Sequence, residues 1–182
     1  ITVPAAFNQM QKDSTMSAAV AAGIGRVALM QEPVAAVMSV MRQRKHDGVF
    51  CVYDLGGGTL DIAIAQSISG RVSLLAHSGI AMCGGRDFDR ILFDNVVKPW
   101  LLDHFNVPED LSTNPQFKSL QRMAIWAAEK AKIELSQNEE TVISLPETEL
   151  GVRDLSGEEI YLDIAIDRQR FDDLVSPKVK ES

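Results

Sequence analysis

The chain has 182 residues, 46% hydrophobic and 24% charged, which is enough apolar material to bury a core in one or two compact units. With 25 acidic against 18 basic residues, a formal net charge of −7 and a pI near 4.9, it lacks the electrostatic footprint of nucleic-acid binding; Arg42, Arg44 and Lys45 form a basic cluster short enough to be a solvated connection. No apolar run approaches the roughly 20 residues of a membrane span, no signal-peptide pattern opens the chain, and Cys51 and Cys83 have neither metal-ligand nor disulfide-framework spacing, which points to no membrane and a reducing, cytoplasmic setting.

In chain order, strand-like Ile1-Thr2-Val3 is followed by Pro4, a residue that ends strands. Residues 9–22 read as a helix with an alanine-rich face, stopped by Gly23 and Gly25, and a short apolar strand is expected at Val27–Met30. Glu32-Pro33 opens a second helix, with Val34, Val37, Met38 and Met41 as its apolar stripe.

Two runs rich in Val, Ile, Phe and Tyr, each the length of a buried strand, then flank the turn Asp54-Leu55-Gly56-Gly57-Gly58-Thr59-Leu60-Asp61. Cys51 falls inside the first. Glycine tolerates positive φ and lets main-chain N–H groups approach a ligand, so Gly56, Gly57 and Gly58 suit a phosphate cradle, to which Thr59 adds a hydroxyl. Asp54 and Asp61 are placed for a hydrated Mg²⁺ that neutralises a phosphate chain. The alternative is a plain hairpin whose glycines serve geometry and whose aspartates cap the turn. Walker A and Rossmann readings fail, because no Gly-Lys-Ser/Thr follows and a strand rather than a helix comes next.

A third strand is expected at Val72–Ala76, antiparallel to its predecessors. Gly84-Gly85-Arg86-Asp87-Phe88-Asp89 precedes an apolar helix pattern through Ile91, Leu92, Val96 and Leu101, so the glycine pair stands at a helix N-terminus, where free amides favour an anion. Equally, Asp87 and Asp89 could merely complement the helix dipole. Over residues 118–136, Leu120, Ala124, Ala127, Ala131 and Leu135 gather on one side at ~100° per residue. Glu129, Lys132 and Ser136 gather on the other as an exposed stripe, ordinary helix surface with Glu129 and Lys132 as an i, i+3 ion pair, unless a ligand uses them. Short extended runs at Thr141–Leu145 and Tyr161–Ile166 suggest a small meander, and a last helix begins near Asp167, a plausible N-cap.

Together these residues resemble a family. Asp54 to Asp61 is similar to the second phosphate loop of the actin-like ATPases, and of the DnaK-type seventy-kilodalton heat-shock chaperones in particular. Ile1-Thr2-Val3-Pro4-Ala5 with Phe7-Asn8, Glu32-Pro33, Gly84 to Asp89, and Glu129-Lys130-Ala131-Lys132-Ile133-Glu134-Leu135-Ser136 match in the same order, so the resemblance covers nearly the whole chain. It implies an α/β, actin-like (ribonuclease H-like) ATPase lobe with a mixed sheet and helices, plus a smaller α+β subdomain. The implied division is 1–45 as the tail of lobe I with a connecting helix, 46–83 and 164–182 as the subdomain bearing the phosphate hairpin, and 84–163 as the smaller subdomain.

The resemblance also implies roles. Gly56, Gly57, Gly58, Thr59, Gly84 and Gly85 contact nucleotide phosphates; Glu129, Lys132 and Ser136 contact ribose and adenine; Asp54 and Asp61 hold Mg²⁺ through water. Glu32, Asp54, Thr59 and Asp61 serve hydrolysis, and Pro4 is an allosteric switch. ATP and ADP are the implied ligands, with K⁺ left open as a further cation. Implied partners are unfolded polypeptides held by a separate substrate-binding domain, a J-domain co-chaperone and a nucleotide-exchange factor.

Both ends look cut, so the chain is expected to be a piece whose first phosphate loop and lobe I lysine lie upstream of Ile1, with the adenosine loop downstream of Ser182. On that view the piece alone binds nucleotide weakly and turns it over negligibly. The sequence departs from the family at Ala6 (a tyrosine), Gln9 (an acid), Leu60 (a phenylalanine), Arg86 (an acid) and Val40-Met41 (Tyr-Gly), which implies a divergent paralogue. Other open readings are a sugar kinase or reactivating factor of the actin-like class, and a non-catalytic platform for exchange factors.

Overall fold

The computed structural model describes residues 1–43 and 47–180. Arg44 and Lys45 of the basic cluster lie outside the described residues, while Arg42 is exposed in the last turn of its helix. The chain divides into two compact units, Ile1–Gly84 and Gly85–Ser182.

In the first unit, β1 (Thr2–Val3) pairs in parallel with β2 (Met30–Gln31). The strand expected at Val27–Met30 is thus shifted and shortened: a strand persists only where its backbone finds a partner, and β1 offers two residues. Helix α1 (Gln9–Ala21) starts with a capping box, in which the Asn8 side chain accepts from the Gln11 N–H and the Gln11 side chain accepts from the Asn8 N–H. Gly23 and Gly25, at φ +73° and +80°, turn the chain after it, in the left-handed region where glycine is free of Cβ strain.

Helix α2 (Glu32–Gln43) carries Pro33 in its first turn, where the missing N–H costs nothing. Of its expected stripe, Val37 is buried, Val34 and Met41 are half-buried, and Met38 is 45% exposed, so the buried face is narrower than the spacing implied. α2 packs on an antiparallel sheet of β3 (Gly48–Leu55), β4 (Thr59–Ile68) and β5 (Arg71–Ala81), ordered β3-β4-β5. Here β5 runs five residues beyond the expected Val72–Ala76.

The first hairpin run was expected to be buried and is not. β3 alternates between half-buried and exposed, and Val49, Cys51, Tyr53 and Leu55 are all exposed. Its position explains this: β3 is an edge strand with β4 as its one paired neighbour among the described residues, whereas central β4 buries Leu60, Ala63 and Ala65.

The second unit is helical with a small β pair. α3 (Gly85–Leu92), a π-helical turn (Phe93–Val97) and α4 (Lys98–His104) form one continuous helical run, and α5 (Pro115–Leu135) packs against it. The stripe read from the sequence is borne out, since Leu120, Ala124, Ala127, Ala131 and Leu135 are all buried. β6 (Glu140–Leu145) pairs antiparallel with β7 (Leu162–Asp167), and between them lie a short helix α6 (Glu147–Leu150) and a turn tied down by Asp154. The Asp154 carboxylate accepts from the N–H groups of Asn106, Ser156 and Glu158. α7 (Arg168–Lys180) starts where expected, with the Asp167 carboxylate accepting from the Arg170 N–H at 2.7 Å.

Candidate functional site

The glycine turn joins β3 to β4 as a three-residue loop, closed by the Gly56 N–H donating to the Thr59 carbonyl at 2.9 Å. None of Gly56, Gly57 and Gly58 takes a positive φ, so the conformational reason for three glycines is corrected. Room is short at Gly84, beneath the loop. A Cβ on Gly84 would stand 2.6 Å from the Gly57 carbonyl carbon and 2.7 Å from the Gly56 oxygen, and would collide with the Gly58 nitrogen. The Met82 N–H also donates to the Gly58 carbonyl at 2.9 Å, from a residue held at φ +59°. The segment after β5 therefore forms a bed on which the loop lies. An unbranched left-handed Met is an uncommon feature and marks a constrained backbone.

Asp54 and Asp61 are direct register partners across β3 and β4, so their side chains share one face. Thr59 and Asp54 are exposed, and Asp61 and Glu32 are half-buried. Glu32, at the start of α2, belongs to the same cluster: burial first, then the Asp54 and Asp61 carboxylates, push its carboxyl above the ordinary glutamate value. Among the described residues no three His, Cys, Asp or Glu side chains converge closely enough to ligate a metal directly. A concentration of negative charge without a tight ligand cage suits a cation that keeps its water shell, which is how Mg²⁺ binds beside phosphates. Pro4 follows β1 and its carbonyl accepts from the Phe7 N–H at 3.2 Å, a turn at the strand end.

In the second unit α3 begins at Gly85, with exposed Arg86 in its first turn. Asp89 is not a surface partner of the helix dipole: it is buried, and its Oδ1 lies 2.5 Å from the Lys132 Nζ. Lys132 also donates to the Gly85 carbonyl at 3.0 Å, so one ammonium staples α5 to the first turn of α3. Burial raises the Asp89 carboxyl above its usual range despite this ammonium. The expected ion pair of Lys132 with Glu129 is replaced by Lys132 with Asp89, and Lys132, with its side chain 18% exposed, is drawn out of the exposed stripe. Glu129 and Ser136 remain exposed, and the Ser136 hydroxyl donates to the Ile133 carbonyl at 2.6 Å, capping α5. Lys132 and Ser136 border one cleft with Phe88, Ile133 and Phe171; Glu129 is outside its lining.

Sequence reasoning missed two residues here, Asp89 as the partner of Lys132 and Gly79 beneath Asp61. A lone glycine inside a β-pattern is the usual sign of a close approach, and Gly79 carries it.

The comparisons with known proteins identify the family. The family description "Hsp70 protein" matches residues 1–182. The chain belongs to the Hsp70 family. Among its relatives, the chaperone protein DnaK of Cyanidium caldarium is 37% identical over 176 residues, covering 97% of this chain and 27% of the relative. That of Deinococcus proteolyticus is 36% identical over 180 residues, covering 99% and 27%, and that of Trieres chinensis is 40% identical over 146 residues, covering 80% and 23%. The chain thus spans about 27% of the length of the first two relatives. Membership in the Hsp70 family bears out the expected actin-like α/β fold and removes the sugar-kinase and reactivating-factor alternatives. No helix among the described residues is long and apolar enough to cross a membrane.

Proposed function

We propose that this chain is the phosphate-gripping part of an ATP-hydrolysing domain in an Hsp70-family chaperone, which uses ATP turnover to bind and release unfolded polypeptides. The observation that carries this reading is the hairpin: paired Asp54 and Asp61, Thr59 at the mouth of a close-packed glycine loop, and Glu32 within electrostatic reach of both aspartates. The loop of Gly56, Gly57, Gly58 and Thr59 holds phosphate oxygens of ATP or ADP through the Thr59 hydroxyl and main-chain N–H donors other than that of Gly56, which closes the turn, assisted by Gly84 and Gly85. Asp54 and Asp61 would hold Mg²⁺ through water, and the ion would supply charge neutralisation for the phosphate chain. Thr59 and Asp61 orient the attacking water, and Glu32, whose carboxyl is pushed above the ordinary glutamate value by burial and by the Asp54 and Asp61 carboxylates, serves hydrolysis beside the hydrated cation.

Glu129, Lys132 and Ser136 take the nucleoside end, with Lys132 sharing its ammonium between ligand, Asp89 and Gly85. Pro4 couples the nucleotide state to the arrangement of lobes. The division into 1–45, 46–83 with 164–182, and 84–163 is retained as the functional grouping. J-domain co-chaperone, nucleotide-exchange factor, K⁺ and a cytoplasmic setting complete the proposal, and the activity belongs to the complete protein, the isolated chain turning over ATP negligibly.

Single-turnover hydrolysis in the complete protein tests this. Thr59→Ala and Asp61→Asn should each slow the chemical step by about a hundred-fold while weakening ADP binding far less. Unchanged single-turnover rates would remove both residues from the mechanism.

A further inference from the structure

Residues that face one another across three antiparallel strands form a row on one side of the sheet, and here the row is Asp54, Asp61, Gly79. Two carboxylates directly opposite on neighbouring strands repel, so the first two places of this row are unfavourable as they stand. The third place is a hole. A Cβ built on Gly79 would fall on the Asp61 Oδ1 and stand 3.3 Å from its Cγ, which means that the Asp61 carboxylate lies in the volume a side chain at residue 79 would fill. Gly79 has no positive φ, so its backbone conformation does not require glycine. Occupation by the carboxylate does.

We propose that Gly79 is a positioning residue for Asp61: by lacking a side chain it lets the carboxylate lean over β5 and away from Asp54, setting the two acids apart for a shared hydrated cation. The proposal rests on the reading of Asp54 and Asp61 as holders of magnesium through water. The colliding atoms belong to the end of a flexible side chain rather than to backbone, so an added methyl turns the carboxylate aside and leaves the strands paired. Gly79→Ala is therefore a displacement of one functional group, unlike a substitution at Gly84, which meets backbone.

Carboxyl-carbon NMR of this chain, with manganese–ADP as the probe, tests the idea; manganese shares the oxygen preference of magnesium. For Gly79→Ala we expect the amide spectrum of β3, β4 and β5 to be retained, and the Asp61 carboxyl resonance to move. The manganese-dependent gain in ADP affinity should fall by about ten-fold. The same substitution in an Asp61→Ala background should cause no further fall. An Asp61 resonance that stays put overturns the proposal. So does a loss of ADP affinity equal with and without manganese, or one that adds to that of Asp61→Ala, because either is general distortion. If the parent chain ignores manganese–ADP while the Asp61 resonance still moves, the contact stands and the magnesium reading of the hairpin falls.

Discussion

The two units are held together by different means. In residues 1–84 the buried apolar side chains are mostly small, Ala5, Ala19, Ala63, Ala65 and Cys83 beside Val3, Val37 and Leu60, and no aromatic is buried among the described residues. In residues 85–182 a contiguous core runs from Leu92 to Ile166 and contains Phe93, Phe105 and Phe117. The first unit spends its sequence on close backbone approach: glycine at 84 beneath the hairpin loop, glycine at 79 beneath an acid, carboxylates in direct register. The second spends it on volume. The difference teaches where substitutions act, since burial of large side chains governs stability, whereas a glycine bed governs the position of ligand-facing groups.

The sharpest way to break the comparison is Lys132→Met, a ligand-side residue that the fold of the second unit also uses. It strands the buried Asp89 carboxylate, and a loss of about 3–5 kcal/mol is expected. Both tryptophans, Trp100 and Trp126, lie in the second unit, so urea unfolding followed by tryptophan fluorescence reads that unit. Asp89→Asn should cost clearly less, because a neutral amide needs no ammonium; equal losses would mean that the pair is not what matters.

In the first unit the strongest test is Gly84→Ala. Its methyl meets the backbone of residues 56–58, which cannot rotate away, so overpacking of about 1–3 kcal/mol is expected, with hydrogen exchange of the β3 and β4 amides accelerated near the loop. Unaltered exchange would show that the loop is not seated on Gly84.

The smallest effect is a pH dependence. Because the folded-state value of Glu32 lies above its ordinary 4.5, the folded chain takes up this proton before the unfolded chain does. The first unit therefore gains stability as pH falls from neutral through the folded-state value, and the gain is complete below the ordinary value. Glu32→Gln should abolish that rise in an exchange-based stability profile, and an identical profile in the variant would detach Glu32 from the aspartate pair.

Much of this protein was open to sequence reasoning because it depends on local patterns. The hairpin, the helix starting at Glu32-Pro33, the buried stripe of α5 and the Asp167 cap follow from periodicity, turn chemistry and capping, all of which act over a few residues. Family membership followed from ordered motifs. What only the tertiary structure decided is who meets whom: that β3 is an edge strand with an exposed Cys51, that β2 has two residues because its partner does, and that Lys132 turns to Asp89 rather than Glu129. The glycines at 79 and 84 belong to the same class. Pairing and burial join residues far apart in the chain, and no local propensity encodes which distant group will occupy a given space.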